Sequence, residues 1–356
     1  MNLQKIRDHI DELDREILSL LNERMELALR TAKLKESVVD KERETQVLDQ
    51  VAHYTQNQNH LVQADFVRAL YGDIINESRR IQENKQPLIG FQGEHGAFGE
   101  LAGRRYNPEL IPIPCEQFED VFDGVEKGWL DCGIVPVENS IGGAVTTVND
   151  LMIQRNLSVI GAIRLRINHC LLTLPETNYQ DIRIVYSHPQ ALSQCRDFIE
   201  RHRMEARPFY DTAGAARMLS QDKPGMSAAI ASELCAGLYR LEIIKDRIED
   251  HAFNYTRFLV LAKEPRTGPA EKCSIIFSTP NKAGALFEVL EIFARAGINL
   301  TRIESFPFHN DPRHSVFFLD FQNGENRSSI EPALELVRRK SRTFRFLGFY
   351  QEEACE

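Results

Sequence analysis

The first 71 residues contain neither glycine nor proline; the first of each are Gly72 and Pro87. So long a stretch without a breaker reads as helix throughout. Apolar residues fall at Leu3, Ile6, Ile10, Leu13, Ile17, Leu20, Leu27 and Leu34, the alternating three-and-four step of a helical seam. As one helix, residues 3 to 36 would span roughly 50 Å at 1.5 Å per residue, longer than so small a domain is wide. The seam therefore calls for a partner chain to cover it.

Four residues beyond Leu20 the seam lands on Arg24, where an apolar side chain belongs. A guanidinium inside such packing must be paired, because burying an unpaired charge is prohibitively costly. Lys35 lies 11 residues further on, within about 20° of the same face at 100° per residue. Arg7 stands near the helix start, and "VVDKERETQVL" adds Asp40, Arg43 and Glu44. Taken singly these are ordinary solvated helix charges; Arg24 is the exception, since its seam position denies it water.

The chain has 356 residues, 42% of them hydrophobic and 27% charged, which is globular composition sufficient for two or three domains. From residue 87 to about 263, short apolar runs ("PLIGF", "CGIVPV", "LSVIGAI", "IRIVYS", "AAIA", "FLVLA") alternate with helical stretches. That pattern predicts a mainly parallel α/β sheet in two lobes. "KEPRTGPAEK" is rich in breakers and reads as a linker over 264–272. Residues 273–350 then follow the order βαββαβ, the ferredoxin-like unit.

A net charge of -9 leaves no electrostatic footprint for nucleic acid. No apolar run approaches the roughly 20 residues of a membrane span, and the charged N-terminus lacks a signal-like core, so a cytoplasmic protein is expected. Seven scattered cysteines without a CxxC pair read as reduced thiols, with neither disulfide nor metal site.

Candidate chemistry in the middle block sits at strand ends. Glu138, Asn139 and Ser140 follow "CGIVPV"; Ser187, His188 and Gln194 follow "IRIVY"; Thr256 and Arg257 precede "FLVLA". Ligand groups gather at such ends in open α/β sheets. Glu138 and His188 are candidate proton donors. Thr256 precedes its strand while the others follow theirs, so convergence requires either an antiparallel last strand or a cleft between two lobes. The loop "GFQGEHGAFGE" lacks both GxGxxG and a P-loop lysine, which disfavours a nucleotide.

"IRDHIDELDREILSLLNERMELA", the lysine beyond it, the D-x-x-R-E cluster and "INESRRIQE" together resemble the all-helical chorismate mutase family over roughly residues 3 to 84. The resemblance implies an intertwined helical domain over 1–86 with a pocket of Arg7, Arg24, Lys35, Asp40, Arg43, Glu44, Ser78 and Gln82, Arg7 crossing into the neighbouring protomer. The motifs "GFQGEHGAFGE", "PVENSIGG", "YSHPQALSQC", "DTAGAA" and "NYTRF", in that order, look like prephenate dehydratase. This implies a two-lobe, periplasmic-binding-protein-like domain over 87–263, and favours the interlobe cleft as the place of convergence. In it, Thr256 would donate to the departing hydroxide and Arg257 would hold a carboxylate. "NKAGALFEVLEIFARAGINLTRIESFP" resembles the ACT domain, with Gly284, Ala285, Leu286, Glu304 and Ser305 as effector residues; Phe306 replaces the family's arginine.

Together these resemblances imply a multidomain bifunctional enzyme without a cofactor. Its substrates would be chorismate and prephenate, its effector phenylalanine, and its assembly a homodimer or larger. Two rival readings stand beside it: a dehydratase with a non-functional mutase domain, and a non-catalytic two-lobe ligand sensor dimerised by its N-terminal helices.

Overall fold

The computed structural model describes residues 2–35, 37–56, 61–266, 268, 270–307, 314–322 and 327–355. They fall into two compact units, Met1–Pro87 and Leu88–Glu356.

The first unit holds α1 (Leu3–Ala32), α2 (Lys41–Gln56) and α3 (Ala64–Glu83). Helix is therefore not continuous to Tyr71. Asn2 caps α1 through Gln4 N–H, but past Ala32 the chain leaves the helix, and β-branched Val38 and Val39 lead up to Asp40. The Asp40 carboxylate accepts the Arg43 N–H at 3.0 Å and starts α2, as an N-cap should. Among the described residues of this unit the buried apolar ones are Leu29, Ala52 and Ile75. The predicted seam is left uncovered within one chain: Leu3, Ile10, Ile17, Leu20 and Leu27 are each at least half exposed.

The second unit opens with a lobe made of β1 (Leu88–Gln92), α4 (Phe98–Tyr106), β2 (Ile111–Cys115), α5 (Phe118–Glu126), β3 (Cys132–Asn139), the short β4 (Gly143–Ala144), α6 (Thr146–Gln154) and β5 (Ser158–Arg166). A second lobe follows, with β6 (Cys170–Thr173), β7 (Ile184–Ser187), α7 (Pro189–Gln194), α8 (Arg196–Arg201), β8 (Glu205–Pro208), α9 (Thr212–Asp222), β9 (Ser227–Ala231), α10 (Glu233–Tyr239) and β10 (Glu242–Lys245). The chain then returns to the first lobe as β11 (Tyr255–Ala262). Last come β12 (Lys272–Pro280), α11 (Ala285–Arg295), β13 (Leu300–Pro307), β14 (His314–Gln322), α12 (Arg327–Lys340), β15 (Phe344–Tyr350) and β16 (Glu352–Cys355).

The sheets run β16-β5-β11-β3-β1-β2 in lobe one, β10-β6-β9-β7-β8 in lobe two and β13-β14-β12-β15 in the C-terminal domain, the last as expected of a ferredoxin-like unit. The first two are mixed rather than mainly parallel. β1 pairs in parallel with β2 and β3, but β11 runs antiparallel to both β3 and β5. Thr256 is thereby set directly opposite Asn139. Of the two routes to convergence, the antiparallel last strand is the one that places Thr256; the expectation that the cleft alone would do so is corrected. Val135, Val137, Leu259, Val260 and Leu261 are fully buried, as continuous apolar runs in a sheet covered on both faces require.

Beyond residue 350 the chain does not trail off. β16 adds a parallel strand to β5, so the C-terminus of the third domain closes the edge of the first lobe's sheet. Gly348 makes the approach possible. Its φ is +142°, and a Cβ there would lie 2.4 Å from the Val159 carbonyl oxygen on β5. Six cysteines, Cys115, Cys132, Cys170, Cys195, Cys235 and Cys273, are free and buried. Burial pushes the thiols of Cys132 and Cys170 up to about 12, so they serve as packing. Among the described residues no helix is long and apolar enough to cross a membrane.

Candidate functional site

In the helical unit, Arg24 on α1 donates from Nη1 to Ser78 Oγ on α3 at 2.7 Å, and Ser78 passes its own proton to Ile74 O at 2.8 Å. Gln82, one turn further along α3, donates to Ala28 O at 2.6 Å and to Thr31 Oγ1 at 3.3 Å. Lys35 stands 3.7 Å from Asp40. Five of the eight expected residues thus lie along the α1–α3 contact (Arg24, Ser78 and Gln82) and at the turn beyond α1 (Lys35 and Asp40). Glu44 is held by a residue the sequence reading missed, Arg79, whose Nε lies 2.7 Å away and whose Nη2 also contacts it. Its position beside Ser78 was the available signal. The Arg43 side chain is exposed. Arg7 is not brought in: it sits 17 residues before Arg24 on the same helix, about 26 Å away.

The second cluster lies where the lobes meet. Backbone N–H groups of Ile141 and Gly142 donate to Asn139 Oδ1 at 3.1 and 2.7 Å, which fixes the orientation of that amide. Its Nδ2 then donates to Thr256 Oγ1 and Asn254 Oδ1, both at 2.9 Å. Asn254 in turn donates to Gln194 Oε1 at 3.0 Å, and Gln194 Nε2 reaches Asn139 Oδ1 at 3.3 Å. All four side chains are buried. Thr256 accepts one hydrogen bond, and among the described residues no acceptor holds its own proton. The hydroxyl is poised to donate.

Other predicted residues support this cluster without joining it. Ser140 Oγ donates to Phe253 O at 2.8 Å and accepts Tyr255 N–H at 2.9 Å, clamping the loop after β3 to the start of β11. Ser187 donates to Ile230 O at 2.6 Å inside lobe two. His188 caps α7, accepting Gln190 N–H at 3.2 Å. The glycine-rich loop ties lobe one to lobe two: Glu94 accepts from Tyr210 and Arg217 at 2.9 and 2.8 Å, and Ser232 donates to Gly96 O at 2.6 Å. A cavity of about 430 Å³ opens there, between Gln92–Glu94, Pro114–Gln117 and Tyr210.

Arg257 and Glu138 require a correction. Side chains alternate along a strand, so each neighbour of Thr256 and Asn139 faces the other side of the sheet. Arg257 is buried there against the C-terminal domain. Its Nη1 lies 2.5 Å from Asp320, its Nη2 2.9 Å from Tyr350 Oη, and its Nε contacts Glu352, which Lys272 also grips. Burial alone would lower the Arg257 pKa, but Asp320, Tyr350 and Glu352 outweigh it and raise it well above the ordinary value. Burial pushes the Glu352 carboxyl up, whereas Arg257 and Lys272 together hold it below the usual range. Each nitrogen of the Arg257 guanidinium thus has a partner within the protein, on the face of the sheet away from Thr256. Glu138 is 3.5 Å from Arg302 on β13, which also reaches Asn149 Oδ1 at 3.3 Å. Arg345 on β15 donates to the carbonyls of Met152, Ile153 and Arg155 at the end of α6, and burial lowers its pKa to about 10.

In the C-terminal domain, Gly284 takes φ +84° and caps α11, with Ala285 buried and Leu286 packed on the core. Glu304 and Ser305 lie on β13, one of the two edge strands of the sheet. Phe306 is buried opposite Val316, so this residue, where the family has arginine, serves in packing. The turn "HNDP" lies outside the described residues.

Three family models match in order: chorismate mutase type II over residues 6–83, prephenate dehydratase over 89–266 and the ACT domain over 274–335. The bifunctional chorismate mutase/prephenate dehydratase of Escherichia coli (strain K12) is 33% identical over 375 residues, covering 99% of this chain and 96% of that one. A crystal structure of prephenate dehydratase in complex with L-Phe from Arthrobacter aurescens matches with TM-score 0.68 and 30% identity, over 74% of this chain and 89% of that one. GqqA, described as a novel type of quorum quenching acylase, matches with TM-score 0.68 and 32% identity, over 74% and 97%. A helical mutase-type domain, a two-lobe dehydratase-type domain and a ferredoxin-like domain of the ACT type in one chain define a two-activity enzyme with its own control domain. The chain belongs to the bifunctional chorismate mutase/prephenate dehydratase family. It is an isomerase and a lyase of phenylalanine biosynthesis.

Proposed function

We propose that residues 1–86 rearrange chorismate, 87–263 convert prephenate to phenylpyruvate, 264–272 link, and 273–350 bind phenylalanine as inhibitor. The rearrangement is unimolecular and moves no proton, so the helical site need only hold a flexible dianion in its compact conformer and stabilise charge on the ether oxygen. Arg24 and Arg43 grip carboxylate, Lys35 donates to the ether oxygen, joined by Gln82 when its amide exchanges the Thr31 hydroxyl for substrate, and Glu44, held by Arg79, accepts from the ring hydroxyl. Asp40 orients Lys35, and Ser78 orients Arg24. Arg7 serves the site of a second chain, whose α1 covers the exposed seam in a homodimer; its distance from Arg24 and the bare Leu3–Leu27 stripe support this.

Dehydration expels the ring hydroxyl and CO2 and leaves an aromatic ring, so the enzyme chiefly aids the departing oxygen in poorly solvating surroundings. Thr256 donates to that oxygen. The Asn139 Nδ2 to Thr256 Oγ1 contact at 2.9 Å carries this reading, because it fixes the hydroxyl as an acceptor from Asn139 and leaves its own proton without an acceptor among the described residues. The test is prephenate turnover. Thr256→Val is expected to lose roughly a hundredfold or more in kcat, the worth of one positioned donor, while Thr256→Ser keeps most of it. Equal rates for Val and wild type would overturn the assignment.

Phenylalanine binds at Gly284, Ala285 and Leu286, where the first turn of α11 turns its N-terminal end toward a carboxylate, with Glu304 and Ser305 of β13 as further effector residues. Inhibition requires that it bind two states differently.

A further inference from the structure

His169 stands on the crossover between the lobes, is 2% exposed, and lies outside every residue considered so far. Its Nε2 is 2.8 Å from Gln194 Oε1. That oxygen can only accept, because the amide is already oriented by Asn254 Nδ2 donating to it and by Gln194 Nε2 donating to Asn139. Nε2 therefore carries the proton. Its other nitrogen, Nδ1, is buried and among the described residues has no hydrogen-bond partner. The ring is wedged edge-on against Phe98 of lobe one, with centroids 5.4 Å apart at 86°. Backbone bonds hold it from both sides, His169 N–H to Glu249 at 2.9 Å and Ile248 N–H to His169 O at 3.0 Å.

We propose that His169 is a positioning residue of the dehydratase, a neutral Nε2–H donor that fixes the Gln194 amide and through it aims the Thr256 proton at the leaving hydroxyl. The amides form one directed circuit, His169 to Gln194, Gln194 to Asn139, Asn139 to Thr256, with Asn254 bridging. Amides flip readily when one partner is lost, and a flipped Gln194 would present N–H groups to Asn254 Nδ2 and push the circuit out of register. The Thr256 hydroxyl would then accept and donate in the wrong directions, although nothing touching substrate had been changed. Polar networks of this kind act as a unit.

The inference rests on Thr256 as the donor, and the experiment separates the two claims. Full-length His169→Leu and His169→Gln are compared with wild type and Thr256→Val for prephenate turnover, with mutase activity as a check on the intact chain. Glutamine places an N–H where Nε2 stood; leucine does not. His169→Leu is expected to lose roughly tenfold or more in kcat with KM little changed, His169→Gln to recover most of it, and Gln194→Met to add nothing to the His169→Leu loss, the non-additivity of groups in one network. Equal loss in both His169 variants, a change confined to KM, or full multiplication of the two losses would overturn the relay. Thr256→Val dead with His169→Leu fully active sinks the relay alone, whereas Thr256→Val active sinks the donor beneath it.

Discussion

Thr256 and Arg257 are consecutive residues of β11 that face opposite ways. The threonine hydroxyl sits 2.9 Å from Asn139 in the interlobe cluster, and the arginine guanidinium sits 2.5 Å from Asp320 in the regulatory domain. One strand, buried on both faces, therefore joins the hydroxyl proposed as the donor to the C-terminal ACT-type domain. Asp320 of β14 and Glu352 of β16 thus bond to the residue next to Thr256.

Arg257→Met tests that junction. It leaves Asp320 and Glu352 buried without the guanidinium that neutralises them, and losing one member of a buried pair costs roughly 3–5 kcal/mol. Urea unfolding of the full chain should show a loss of this order, with phenylalanine inhibition weakened in the surviving enzyme. Unchanged stability would mean that the carboxylates find other partners.

Gly348→Ala tests the close approach of β15 to β5. The added methyl would stand 2.4 Å from the Val159 carbonyl, at a φ of +142° that L residues rarely adopt. A stability loss of about 1–3 kcal/mol is expected from that strain. Since Val159 O is backbone, no rotamer change relieves it. A melting temperature equal to that of wild type would contradict the packing described.

Stability should also fall on mild acidification through His169. Burial lowers its pKa from the ordinary 6.5, while the Gln194 bond and Glu249 only partly oppose this. The sign follows: between that lowered value and about 6.5 the unfolded chain takes up a proton the folded chain refuses. The contribution is complete above 6.5 and is lost as pH falls through the window, at up to about 1.4 kcal/mol per pH unit. His169→Gln should flatten the difference in unfolding free energy measured at about pH 7.5 and 5.5. Parallel curves for the two proteins would refute it.

Much of the architecture was legible because it is written in local signals. The breaker-free N-terminus, the alternating runs and the βαββαβ order each state a period or a punctuation mark. Arg24 could be singled out because it breaks a seam, and Thr256 because it stands before a buried run. What sequence could not give was direction across a sheet. Arg257 and Thr256 look like one polar pair in the chain, and only the pairing of β11 with β3 decides that they part. Asp320, Glu352 and Arg345 were missed for the same reason: nothing local distinguishes them, and each is made important by a neighbour more than 60 residues away. The break after Ala32 was hidden because no glycine or proline marks it.

The separateness of the two active sites is tested most directly by giving chorismate to Arg24→Ala and Thr256→Val and following prephenate and phenylpyruvate with time. Arg24→Ala should leave chorismate untouched yet convert added prephenate at the wild-type rate, and Thr256→Val should turn chorismate into prephenate that accumulates. A folded variant of either kind that loses both reactions, or keeps both, would contradict the placement of the sites.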